Sequence, residues 1–161
     1  MKDIVEINEE DPVLRTFILF TQTARISAKY QDAYMNRKTG LSDVKLIVLM
    51  AFFYDPTTSI TPSQIARWTD TDPHNVTTLV NRMKREGLLE TRRDDKDRRF
   101  LRISITEKGR ASLKESMPAA QQVIDHLMAS LSRDDILMME KSLKVIRHNA
   151  YEGLASLTEN K

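Results

Sequence analysis

No cysteine occurs anywhere in this sequence. That excludes disulfides, thiolate-ligated metals and any thiol redox switch. Glycine is nearly as scarce, with four in 161 residues, which leaves little room for a loop that cradles phosphates. Neither Gly-x-Gly-x-x-Gly, a P-loop nor a Gly-x-Ser-x-Gly elbow is present. An enzyme is therefore not expected, and no catalytic residue is assigned. The three histidines, His74, His126 and His148, lie far apart without close ligand spacing, so neither a metal site nor a cofactor is expected. Long hydrophobic runs are also missing. The longest, Leu46 to Tyr54, ends at Asp55-Pro56 and is too short to span a bilayer. The opening stretch, Met1 to Asp11, is acidic and lacks the basic and apolar regions of a secretory signal. A soluble cytoplasmic protein with no membrane role is the expectation.

What is present is charge, unevenly placed. The net charge is only +2. However, Arg82, Lys84, Arg85, Arg92, Arg93, Lys96, Arg98, Arg99, Arg102, Lys108 and Arg110 all fall in one stretch, with fewer acids among them. A basic middle between less basic ends fits phosphate contact, although charge alone also fits a solvated surface.

The chain divides by its start and stop signals. Asp11-Pro12 opens a first helix, with Asp11 as N-cap and Pro12 where its missing donor costs nothing. That helix should run to Gly40 and carries apolar residues on more than one face, Phe17 among them, which suggests contact with a partner as well as with its own domain. Ser42 starts a second helix. Thr61-Pro62-Ser63-Gln64 is a capping box: the Thr61 hydroxyl can take the Gln64 amide, and the Gln64 side chain can reach back. The short helix it opens should end near Thr69. Asp72-Pro73 repeats the start signal. In the helix that follows, Val76, Leu79, Val80 and Met83 form a core face. His74, Asn75, Thr77, Thr78, Asn81, Arg82 and Arg85 lie opposite, and Gly87 is the stop.

After Gly87 the period changes. Leu88 to Thr91 and Phe100 to Ile105 read as strands, the second alternating Leu101, Ile103 and Ile105 with Arg102 and Ser104. The segment from Arg93 to Arg98 is charged throughout and should be the hairpin tip. Thr106 caps a helix reaching about Leu131, with a kink or break at Pro118. Ser132 and Asp135 open a last amphipathic helix bearing Ile136, Met139, Leu143 and Ile146, with Thr158 to Lys161 frayed. The fold class is mainly α with a small β-hairpin.

Two helices joined by a short turn and followed by a charged hairpin make a winged helix-turn-helix. The exposed helix fits the major groove of double-stranded DNA. Asn75, Thr77, Thr78 and Asn81 can reach base edges there, with Arg82 and Arg85 on bases or phosphates. Arginines on the hairpin can enter the minor groove, where negative potential is concentrated.

These residues carry a family resemblance. Asp72-Pro73-His74-Asn75-Val76-Thr77-Thr78-Leu79-Val80-Asn81-Arg82-Met83 with Glu86-Gly87-Leu88-Leu89 resembles the recognition helix and exit turn of the MarR family of regulators. Asp95-Lys96-Asp97-Arg98-Arg99, then Ile105-Thr106-Glu107-Lys108-Gly109, is similar to that family's wing and the start of its fifth helix. Ile60 to Ala66, with Thr61, Ser63 and Gln64 at the helix-turn-helix entry, is similar to the helix before it.

The resemblance implies a homodimeric transcriptional regulator, usually a repressor, on a palindromic operator with half-sites about one helical turn apart. It implies dimerisation through residues 1–40 and 111–161, around a DNA-binding domain at 41–110. In the wing the family's Asp-Arg pattern falls on Asp97 and Arg99, with Asp97 orienting neighbouring arginines and Arg99 or Arg98 as the minor-groove residue; Arg92 and Arg93 are further candidate DNA contacts of the basic hairpin. A small aromatic or anionic effector is implied between the dimer base and the DNA-binding lobes. The chain departs from the family's pattern at Asp72, His74 and Asn75, which leaves the operator sequence open.

Other readings stand beside these. Trp68 reads as packing, and the methionines as adaptable interface. Tyr30, Tyr34, Phe53 and Arg25 could line a pocket or belong to core and interface. A winged-helix module that binds an acidic protein is the alternative function, and alanines at Arg98 and Arg99 would separate the two.

Overall fold

The computed structural model describes residues 10–55, 58–69, 73–94, 97–98 and 101–159. Among them the order is α1 (Pro12–Thr39), α2 (Asp43–Met50), α3 (Pro62–Thr69), α4 (Pro73–Arg85), β1 (Leu89–Arg93), β2 (Leu101–Ile105), α5 (Glu107–Leu127) and α6 (Arg133–Glu159). This is a mainly helical winged helix-turn-helix fold. By packing, the chain forms two compact units, Met1–Ile124 and Asp125–Lys161, with the boundary inside α5.

The predicted caps are largely in place. Asp11 accepts the Val13 amide at 2.8 Å, with Pro12 in the first turn, and Gly40 ends α1 in the left-handed region at φ 72°. The Thr61 amide donates to Gln64 Oε1 at 2.8 Å and the Gln64 amide to Thr61 Oγ1 at 3.4 Å, closing both arms of the capping box. Ser132 and Asp135 close the equivalent box on α6, at 3.0 and 3.1 Å. Ser42 behaves differently: it is the N-cap of α2, but its side chain makes no capping bond and its Oγ is buried without a partner among the described residues. Asp32 of α1 supplies the cap instead, accepting the Asp43 amide at 2.9 Å.

The first unit has a continuous apolar core. Met35, Leu49, Phe52, Ile65, Val76 and Met83 are each at most 1% exposed, and α3 packs on α4. Strands β1 and β2 pair antiparallel with Leu89 opposite Ile105 and Arg93 opposite Leu101. Ile60, just before α3, adds a bridge to Ile103 through hydrogen bonds of 2.9 and 2.8 Å, which stitches the hairpin to the helix-turn-helix.

Three expectations need correction. Strand β1 continues through Arg93, so Arg93 belongs to the paired ladder, after Arg92, rather than to the tip. Helix α5 runs through Pro118 without a break and stops at Leu127, short of Leu131. The proline removes only the one bond its missing amide would make, and helix on both sides of it packs Leu113, Ser116, Ala119 and Val123 inward. Third, α6 extends to Glu159, past the point where fraying was expected.

In the second unit, every described side chain from Asp125 to Leu157 is exposed. Ile136, Met139, Leu143 and Ile146 on α6 are each between 36% and 41% exposed. On α1, Phe17 is likewise exposed.

Candidate nucleic-acid interface

Helix α4 separates its two faces as its period demands. Val76, Leu79, Val80 and Met83 are buried. His74, Asn75, Thr77, Thr78, Asn81, Arg82 and Arg85 are all exposed. The short hydroxyl and amide side chains thus share one solvent-facing surface with two guanidinium groups. Asp72, the predicted cap of this helix, lies outside the described residues. Of the entry residues, Thr61 and Gln64 are occupied by the capping box, while Ser63 is exposed.

The wing concentrates positive charge. Arg92 stands directly opposite Arg102 across the ladder, a like-charge pair that is unfavourable by itself. Asp94 offsets it: its Oδ2 accepts the Arg102 Nε at 2.5 Å, while its Oδ1 accepts the Asp97 amide at 3.1 Å. One carboxylate therefore restrains an arginine and shapes the turn. Arg93 donates to the Arg98 carbonyl at 3.2 Å, and Arg92 and Arg98 are exposed. Arg99 lies outside the described residues, and so does any contact between it and Asp97. Asp94 and Arg102 were missed as organisers of the wing. The position of Asp94 at the end of a strand, eight residues before Arg102, was the available signal.

The exit of α4 is fastened from three sides. Lys45 of α2 pairs with Glu86 at 2.7 Å. Lys108 of α5 donates to the Glu86 carbonyl at 2.7 Å. The Thr106 hydroxyl donates to the Gly87 carbonyl at 2.6 Å and accepts the Gly109 amide at 3.0 Å. Gly87 has φ 74°, as its role as a helix stop requires. Gly109 is pressed so closely that a Cβ there would stand 2.2 Å from the Leu88 carbonyl oxygen.

An apolar cavity of about 260 Å³ lies among α1, α2 and α5. Met35, Leu46, Met50, Met117 and Val123 line it, with Gln31 and Asp43 as its polar residues. None of Tyr30, Tyr34, Phe53 and Arg25 lines this cavity. Tyr30 and Tyr34 instead pack together at 5.8 Å against the core, and the Tyr34 hydroxyl donates to Gln122 of α5 at 2.6 Å. Phe53 is exposed, in edge contact with Tyr54. Trp68 is half exposed, more than its reading as packing implied. His126 and His148 are exposed, and among the described residues no group of three His, Asp or Glu side chains could hold a metal ion. No helix there is long and apolar enough to cross a membrane.

The geometry defines a winged helix-turn-helix protein: a polar-faced helix with a basic hairpin beside it. Residues 39–99 match the model of the MarR family. Through this module the chain is similar to that family. Over 107 residues it is 26% identical to the transcriptional repressor MprA of Escherichia coli K12, an alignment covering 66% of this chain and 61% of that one. The chain thus spans about three-fifths of that relative's length. Two solved structures share the fold. The organohalide-sensing transcriptional regulator RdhR, in its 2,4-dichlorophenol-bound form, superposes with a TM-score of 0.71 at 21% identity, covering 90% of this chain and 88% of that one. A mutant MarR from E. coli complexed with operator DNA does so with a TM-score of 0.70 at 18% identity, covering 84% and 99%.

Proposed function

We propose that this chain represses transcription as a homodimer bound to a palindromic operator in duplex DNA. The observation that carries this reading is the exposed face of α4 from His74 to Arg85, presented beside a hairpin that holds Arg92, Arg93 and Arg98 outward or at the rim. Helix α4 reads the major groove through Thr77, Thr78 and Asn81, and the wing lies along the minor groove. The MarR homologue solved with operator DNA supports the same use of this fold. Residues 41–110 form the DNA-binding part. The segments 1–40 and 111–161 pair with those of a second copy through Phe17, Ile136, Met139, Leu143 and Ile146. The cavity among α1, α2 and α5 receives a small effector with an aromatic body, as the dichlorophenol-bound relative suggests. The effector acts by favouring a spacing of the two modules that misfits the operator.

The test is a gel shift on duplex from the gene's own promoter, across a salt series. Specific binding should weaken steeply with salt. Thr78→Ala and Asn81→Ala should each cost about 1–3 kcal/mol of specific binding. Arg98→Ala should weaken all sequences alike and lower the salt slope by about one. No specific shift at low salt overturns the proposal.

A further inference from the structure

The one ionisable side chain in the cavity wall is an acid. It is Asp43, and it is half-buried. Asp43 Oδ1 accepts a hydrogen bond from Gln31 Nε2, the other polar residue of the wall. Asp43 Oδ2 has no hydrogen-bond partner among the described residues. Asp32, one hydrogen bond away at the Asp43 amide, adds a second carboxylate. Neither acid is in an ion pair among the described residues; Lys45 pairs with Glu86 and Lys38 lies over the Tyr34 ring. The α5 wall, with Met117 and Val123, brings no countercharge.

From this we infer that the cavity selects an apolar organic cation, an aryl or alkyl group bearing an ammonium, and rejects carboxylates and phenolates. The inference rests on the reading of the cavity as the effector site. The volume fits: it exceeds the roughly 150 Å³ that holds a benzene and lies just under the lower limit of about 300 Å³ common for ligand pockets. The walls fit as well. Met35, Met50 and Met117 present polarisable thioethers that adapt to an aromatic body. An anionic ligand would place its charge beside the half-buried Asp43 carboxylate in a mostly apolar site, where like charges repel more strongly than in bulk. A cation would instead give the half-buried Asp43 carboxylate the counterion it lacks. Selection by charge at this site thus departs from the anionic effectors that the sequence left open.

Three probes of similar size separate the alternatives: phenyltrimethylammonium, its neutral isostere tert-butylbenzene, and benzoate. Binding is read on full-length protein carrying isotope-labelled methionine methyls, so that Met35, Met50 and Met117 report occupancy of this cavity. The cation should bind about tenfold more tightly than benzoate, the margin expected of one partly screened charge pair. Asp43→Asn, and separately Asp32→Asn, should shrink that margin while leaving tert-butylbenzene unchanged. If benzoate binds as tightly as the cation, or if both variants keep the full preference, charge selection is overturned while the cavity remains an effector site. If none of the probes moves the three methyl signals, the effector reading of the cavity falls with it, and DNA binding is untouched.

Discussion

Helices α4 and α6 carry apolar residues at nearly the same spacing, yet the two sets meet opposite fates. Val76, Leu79, Val80 and Met83 are at most 7% exposed. Ile136, Met139, Leu143 and Ile146, at intervals of three, four and three, are each at least 36% exposed. The first set is covered by its own module. The second stays exposed among the described residues. Burying a Leu, Ile or Met side chain fully contributes about 1.5–3 kcal/mol, so several kcal/mol would be gained if a second copy covered α6 as proposed. Apolar spacing therefore states that a face will be covered, not what covers it. This difference is what supports a second copy as the partner of α6.

The largest effect should come from breaking α6. Leu143→Asp with Ile146→Asp puts two carboxylates on the apolar stripe. The sedimenting mass should fall by half, and operator affinity should drop by about a hundredfold or more as bivalent binding is lost. An intact dimer in that variant would remove the contrast between the two helices. Next come the glycines. Gly109→Ala drives a Cβ against the Leu88 carbonyl and should cost about 3 kcal/mol in thermal unfolding. Gly153→Ala, where nothing lies within 4 Å, should gain about 0.5–1 kcal/mol from helix propensity. Destabilisation there instead would show a partner helix approaching closely at that point. The smallest effect concerns the α6 cap. The Ser132 hydroxyl and backbone amide hold the Asp135 carboxyl below its ordinary value. A group lowered on folding contributes stability above its unfolded pKa and loses it as pH falls through the folded value. Ser132→Ala should move the Asp135 titration, followed by NMR, back up toward the ordinary carboxylate range, with little change in dimer mass.

Local chemistry made much of the fold readable. Asp11-Pro12, the Thr61–Gln64 box, Gly87 and Ser132–Asp135 each specify a boundary through bonds within a few residues, and each was legible. So were the two faces of α4, because a 3.6-residue period needs no partner to declare itself. What escaped depends on residues far apart in the chain. Ser42 marks the start of α2 as read, but the capping bond comes from Asp32, eleven residues before Asp43 on another helix. The Asp94–Arg102 pair exists only once strand register is set. The cavity needs three helices at once, and the tyrosines expected near it pack elsewhere, while Gln31 and Met35, each the next residue in the chain, line it. Of the kink or break expected at Pro118, the break does not occur, for a related reason: packing on both sides of it outweighs one lost hydrogen bond.

On the proposed use of α4 as the helix that enters a groove, the fastening of its exit has a consequence for how tightly a duplex would be held. Lys45, Lys108 and Thr106 anchor Glu86 and Gly87 before any DNA arrives. The two ammonium groups also lie at the negative end of the helix dipole. The backbone torsions of this turn are thus already settled in the free protein, and little conformational entropy is left to surrender when the helix enters a groove. A recognition helix held in this way can discriminate between base pairs with contacts that are few and short, because hardly any of their energy goes into ordering the helix itself.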